Sequence, residues 1–325
     1  MSRISRYQDS MGRFIKQRSC LTQLSPDIKS KVDILVNECD HVIGILLLTV
    51  MNSQGKKMNM TVHGYHIATG IEMMTYTANI MCNKEYYENK LGKESVNEIL
   101  CRMPSIANTC LSNNIESIQG NYNGTNYNKL IKIIYHLTRL MNSKIHKILL
   151  DEKFTDDLGD NITKTDIVKY KFADLVKAKN KIKKLKQVNK EKLDEYIQDR
   201  YGFICQLAFI NGWLLGGGDE KNIPQMEKLG TYFANILKVV QDFTNIDNDL
   251  EYAKNHTKNT IINNGFQNSF EIFIENKQKF IEGCIKQGIY TNTVKEIIDL
   301  MENKLDTVID KSSPDLKSHY TLSNE

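Results

Sequence analysis

Apolar side chains return every three or four positions through most of this chain, and very little interrupts them. Leu130, Ile133, Ile134, Leu137, Leu140, Met141, Ile145, Ile148 and Leu149 keep a helical period, and no alternation of the β type intervenes. The 325 residues include only 4 prolines and 18 glycines, whereas a large all-β protein needs far more turn punctuation than that. The expected fold class is therefore all-α. At 41% hydrophobic and 25% charged residues the chain is not disordered along its length.

The periodicity predicts a helix over Asp27 to Met51 (Ile28, Val32, Ile34, Leu35, Cys39, Val42, Ile43, Leu46), broken at Ser53-Gln54-Gly55, and a second from Met60 to about Cys82. A polar loop is expected over Asn83 to Ser95. Val96 to Ile118 then reads as a helix that Pro104 should kink or restart, and Asn121 to Asn126 as a turn. Tyr196 to Leu215 is predicted to be helical and stopped by Gly216-Gly217-Gly218, and Pro224 suits the first turn of the next helix. On that helix Leu229, Phe233, Ile236, Leu237 and Val240 share one face. A linker from Glu251 to Asn264 precedes two last helices, about Ser269 to Gln287 and Thr291 to Ile309. The tail after about Ser312 is expected to be flexible.

The net charge of +4 is too mild to imply nucleic-acid binding. Lysines 177, 179, 181, 183, 184, 186, 190 and 192 do crowd into a distinct segment of about 156–192, read as a solvated insertion or, second, as a contact for an anionic surface. Seven scattered cysteines without a CxxC pair point to reduced thiols in a cytoplasmic compartment and away from zinc. The longest apolar run, Val42 to Val50, is too short to span a bilayer, so no membrane span is expected. His63 and His66 read as structural, as does Cys82 with no base beside it; Met73, Met74 and Met81 read as core filling.

Short words in the chain resemble a family. Met103-Pro104-Ser105-Ile106-Ala107-Asn108, the stretch Gly70-Ile71-Glu72-Met73-Met74, Asn89-Lys90-Leu91-Gly92-Lys93, Arg200-Tyr201-Gly202 and Leu214 to Asp219 occur in the order and spacing of trans-isoprenyl diphosphate synthases, especially geranylgeranyl diphosphate synthases. The resemblance implies a single large helical bundle around a central cavity, an isoprenoid-synthase-like domain over 1–325, usually assembled as a homodimer or as a heterodimer with a related subunit. It also implies an activity in which an allylic diphosphate ionises and isopentenyl diphosphate attacks. Magnesium held by two DDxxD motifs takes the leaving diphosphate there, because a hard dication needs several oxygen ligands and the departing group carries high negative charge.

At the first motif's place stands Met81-Cys82-Asn83-Lys84-Glu85, and at the second's Gln241-Asp242-Phe243-Thr244-Asn245. Four of the six acidic positions are lost. Lys56 (in Gly55-Lys56-Lys57), Lys90, Arg102, Arg200 and Lys258 are the candidate diphosphate grips by resemblance, while Lys84 brings a cation into the first motif itself. Asp242 and Asp249, on one predicted helix face, are the weak metal candidates, although the stretch reads first as a solvated acidic helix end; otherwise no metal and no cofactor is expected. The first expectation is a non-catalytic subunit, regulator or interaction protein, with prenyl diphosphate as a candidate ligand. The alternative is a divergent prenyltransferase condensing isopentenyl diphosphate with an allylic diphosphate, for which magnesium would be the cofactor.

Overall fold

The computed structural model describes residues 2–54, 61–119, 131, 135, 138, 142, 145–149, 154–163, 166–170 and 172–310. Lys56, the turn expected at Asn121 to Asn126 and the tail after Ser312 lie outside the described residues, as does the side chain of His63. The chain divides into two compact units. The first takes Met1–Leu150, Asp199–Thr231 and Glu282–Ile297, the second Asp151–Gln198, Tyr232–Ile281 and Ile298–Glu325.

Helix α3 (Val42–Ser53) organises the first unit, because its first ten residues, all uncharged, are buried. A helix apolar on every side must be enclosed by others. Here α4 (Thr61–Cys82) and a later helix, Phe203–Leu215, pack against it, while α6 (Lys93–Gln119) packs along α4. Glycines set the distance of these crossings. A Cβ on Gly212 would lie 2.5 Å from the Leu47 carbonyl oxygen, and one on Gly70 would lie 3.2 Å from that of Ala107. Met73, Met74 and Met81 are buried, as core filling requires.

Several boundaries depart from the periodic reading. The helix expected over Asp27 to Met51 is two, α2 (Pro26–Glu38) and α3, bent by 67°. His41 sits between them with φ 53°, the one non-glycine residue at positive φ among those described. The loop expected over Asn83 to Ser95 is mostly α5 (Lys84–Leu91), stopped by Gly92 at φ 88°. Its residues Lys84 to Glu88, two tyrosines among them, are half-buried, which polarity alone does not distinguish from a loop. Pro104 neither ends nor restarts α6, whose helical assignment is unbroken through it. At 131, 135, 138, 142 and 145–149 the backbone is helical, as predicted.

In the second unit the Lys-rich segment is folded. Strands β1 (Leu158–Asn161) and β2 (Lys186–Val188) pair antiparallel through Leu158 and Val188, with an irregularity before Asn161 meets Lys186. Between them lies α7 (Leu175–Ile182), capped by the Asp174 carboxylate on the Lys177 N–H. Most of the lysines are exposed; Lys181 is half-buried and donates to the Glu251 carbonyl. Helix α8 (Lys190–Ile197) passes through a π-type turn, Gln198–Gly202, into α9 (Phe203–Leu215). Beyond it run α10 (Ile223–Thr244), α11 (Ile246–Tyr252), α12 (Thr260–Asn264), α13 (Phe266–Lys286) and α14 (Asn292–Ile309).

Buried aromatic rings fill the second unit. Phe243 meets Phe266 edge-on at 4.7 Å between centroids, and Phe233 meets Phe280 at 5.4 Å. Such pairs add about 0.5–1.5 kcal/mol each beyond simple burial. Among the described residues no single helix is long and apolar enough to cross a membrane.

Candidate functional site

The stretch read as the first motif position lies in the first unit, where the helix expected to carry it is interrupted. Met81 and Cys82 end α4, Asn83 leaves helical geometry at φ −126°, and Lys84 and Glu85 begin α5. The i and i+4 alignment that lets two carboxylates share one metal needs a continuous helix. Met81 is buried, and Lys84 approaches Glu88 at 4.0 Å.

The candidate diphosphate grips are placed as follows. Lys90 Nζ donates to both oxygens of Glu38, at 2.7 and 2.6 Å, and to the Tyr86 hydroxyl at 3.3 Å. Arg102 pairs with Glu98 at 2.8 Å on an exposed helix face. Arg200 is 1% exposed within the π-type turn. Beside it, the Tyr201 hydroxyl donates to Asn79 Oδ1 at 2.9 Å, tying this turn to the last turns of α4. In the second unit, Lys258 Nζ stands over the Tyr196 ring at 4.7 Å and the Phe154 ring at 5.8 Å. His66, for its part, packs edge-on to Phe14 at 5.0 Å.

The stretch read as the second motif position is in the second unit. Asp242 is 1% exposed, and both of its oxygens have partners. Lys238, one helical turn earlier on α10, forms an ion pair with Oδ1; Oδ2 accepts the Thr260 N–H at 2.8 Å and the Thr260 hydroxyl at 2.6 Å. The reading of this stretch as a solvated acidic helix end is corrected here. Asn259 sets the geometry: its side-chain amide donates to the Asp242 carbonyl at 2.9 Å and to Asp249 Oδ2 at 2.8 Å, while its Oδ1 caps α12 through Ile261 and Ile262. Burial, then the neighbouring Asp242 charge, pushes the Asp249 carboxyl up to about 7. Phe243, the third motif residue, is buried against Phe266.

The magnesium of the resembled family does not fit this donor set. Glu85 follows a helix break beside a lysine, and Asp242 is already neutralised by a buried ammonium. The same contacts remove Asp242 as a metal candidate. Asp249 lies near it, but shares its partner Asn259 rather than an open ligand position. Lys238, Asn259 and Thr260 were not singled out in the sequence. Lys238 was within reach of inspection, since a lysine four residues before an aspartate on a helix is a pairing signal; the other two come from a segment read as linker.

No protein-family model matches the chain. The fold is that of the isoprenoid synthases: the backbone matches an isoprenoid synthase family member from Thermotoga neapolitana with a TM-score of 0.50, over 91% of this chain and 97% of that one, at 12% identity. The resemblance to trans-isoprenyl diphosphate synthases is borne out by this fold and by two curated sequences, both trans-prenyltransferases of African swine fever virus. One isolate's protein is 30% identical over 100 residues and another's 28% over 100 residues. The aligned stretch spans 30% of this chain and 29% of those relatives, under a third of their length.

Proposed function

We propose that this chain is an isoprenoid-synthase-fold protein without standard magnesium-dependent prenyl transfer, serving as a non-catalytic subunit or regulator in a reducing, cytoplasmic compartment. One observation carries the reading. The only carboxylate left at the second motif position is locked in a buried pair with Lys238 and capped by Thr260. A carboxylate with both oxygens engaged and its charge already balanced is a poor ligand for a hard dication, which needs free oxygen donors. The cationic grips lean the same way, since Lys90 and Arg102 are held by Glu38 and Glu98. A single bundle over 1–325 that pairs as a homodimer, or with a related active chain, is part of the same proposal.

The test is incubation of the purified chain with labelled isopentenyl diphosphate, magnesium and dimethylallyl, geranyl or farnesyl diphosphate. The expected outcome is no extended product above background. Chain extension by the protein alone would replace this reading with that of a divergent prenyltransferase.

A further inference from the structure

The corner between α2 and α3 gathers three metal-ligating side chains that prenyl chemistry does not use. Cys39 and His41 lie on the two sides of the bend, and Glu72 reaches it from the middle of α4, all within the first unit. Their ligand atoms all lie within 4.8 Å of one another. Cys39 Sγ is 3.5 Å from Glu72 Oε2, and His41 Nδ1 is 3.5 Å from the same oxygen.

Those separations have a meaning for a tetrahedral ion. With bonds of about 2.3 Å to sulfur and about 2.0–2.1 Å to nitrogen or oxygen, sulfur should stand about 3.5 Å from an oxygen ligand, and nitrogen about 3.3 Å. The two edges that meet at Glu72 Oε2 therefore already have about the length such a site needs, and the third, between Cys39 and His41, is no longer than 4.8 Å. We infer that Cys39, His41 and Glu72 form a binding site for a zinc-like divalent transition-metal ion.

Three further features support it. Glu72 is fully buried, and its other oxygen, Oε1, accepts the Gly44 N–H at 2.7 Å, so the carboxylate is oriented by a second contact as metal ligands usually are. The Tyr76 hydroxyl stands 3.2 Å from His41 Nδ1 and offers an oxygen for a fourth position. His41 also holds its left-handed backbone at the first residue before α3 without capping it by its side chain. A non-glycine residue in that region costs about 1–2 kcal/mol, and such strain persists where the surroundings hold it for a purpose. Charge agrees too: a dication with one thiolate, one carboxylate and a neutral imidazole sums to zero, which a buried position tolerates. Zinc was set aside on the sequence because no CxxC pair occurs. This ligand set has none, since a Cys-x-His pair is completed by a glutamate from another helix.

The inference is independent of whether the chain transfers prenyl groups. Its test is titration of the chelator-treated full chain with cobalt(II), a spectroscopic substitute for zinc. One cobalt per chain is expected, with visible tetrahedral bands and a thiolate-to-cobalt charge-transfer band that zinc then displaces. Cys39→Ser should abolish the charge-transfer band, whereas Cys82→Ser and Cys101→Ser, at the half-buried and exposed thiols, should keep it. Glu72→Gln should weaken binding by about tenfold or more, with circular dichroism confirming the variant's helices. Absence of stoichiometric binding to the wild-type chain, or a band that survives Cys39→Ser, overturns the site and leaves the three residues as a hydrogen-bonded brace.

Discussion

At the scale of single residues, the most consequential contact is the Lys238–Asp242 pair, 7% and 2% exposed at its side chains. Removing one member of a buried ion pair strands the other, at a cost of about 3–5 kcal/mol, whereas replacing both costs far less. Lys238→Met should lower the chain's stability by about that amount in urea unfolding, and Lys238→Met combined with Asp242→Asn should recover part of it. Asp249 behaves differently, because burial and Asp242 favour its neutral form. Its carboxyl is raised to about 7 in the folded chain, against about 3.9 unfolded, so its stabilising contribution is complete below pH 4 and is lost as pH rises toward 7. Asp249→Asn keeps an oxygen acceptor for Asn259 and does not titrate. Thermal melting across that range should show the variant gaining on the wild type as pH rises, with the difference level above about pH 7. Neither effect was legible in the sequence, where Asp242 and Asp249 read as a solvated helix end; only the fold buries them.

At the scale of elements, the helices themselves were readable and their ends were not. The face of Leu229, Phe233, Ile236, Leu237 and Val240 is buried along α10, and Pro224 falls in its first turn, as predicted. The break at His41 had no signal in the apolar period, which continues from Leu35 through Ile43 as though one helix ran on. The Gly44 N–H and the Cys39 thiol both donate to the Glu72 carboxylate on α4 and hold the corner, so a third element decides where two helices divide. Helix crossings yield a direct test. A Cβ on Gly212 would come within 2.5 Å of the Leu47 carbonyl oxygen, and rigid backbone cannot yield cheaply. Gly212→Ala should cost about 1–3 kcal/mol in denaturant unfolding. At Gly159 the nearest atom to an added Cβ is 3.7 Å away, and Gly159→Ala should stay within about 0.5 kcal/mol of the wild type.

At the scale of the whole molecule, the order of short words along the chain led to the isoprenoid synthase fold, and the backbone match over 91% of the chain agrees. The expected absence of prenyl transfer belongs here, because it rests on two motif positions that the sequence holds about 160 residues apart, Met81 and Gln241. The Lys-rich segment shows the limit of composition. Its exposed lysines read correctly as solvated, but β2 within it donates Val188 N–H to Asn263 Oδ1 at 2.9 Å and Lys186 N–H to the Asn255 carbonyl at 2.8 Å. The insertion is thereby fastened to the segment read as linker. By itself the sequence determined the helical class and the buried faces, since periodicity and residue identity are local properties. The tertiary structure alone decided that Asp242 is neutralised by Lys238 and that Cys39, His41 and Glu72 meet at one corner. Burial and the convergence of side chains from separate helices are set by packing, and no local pattern records them.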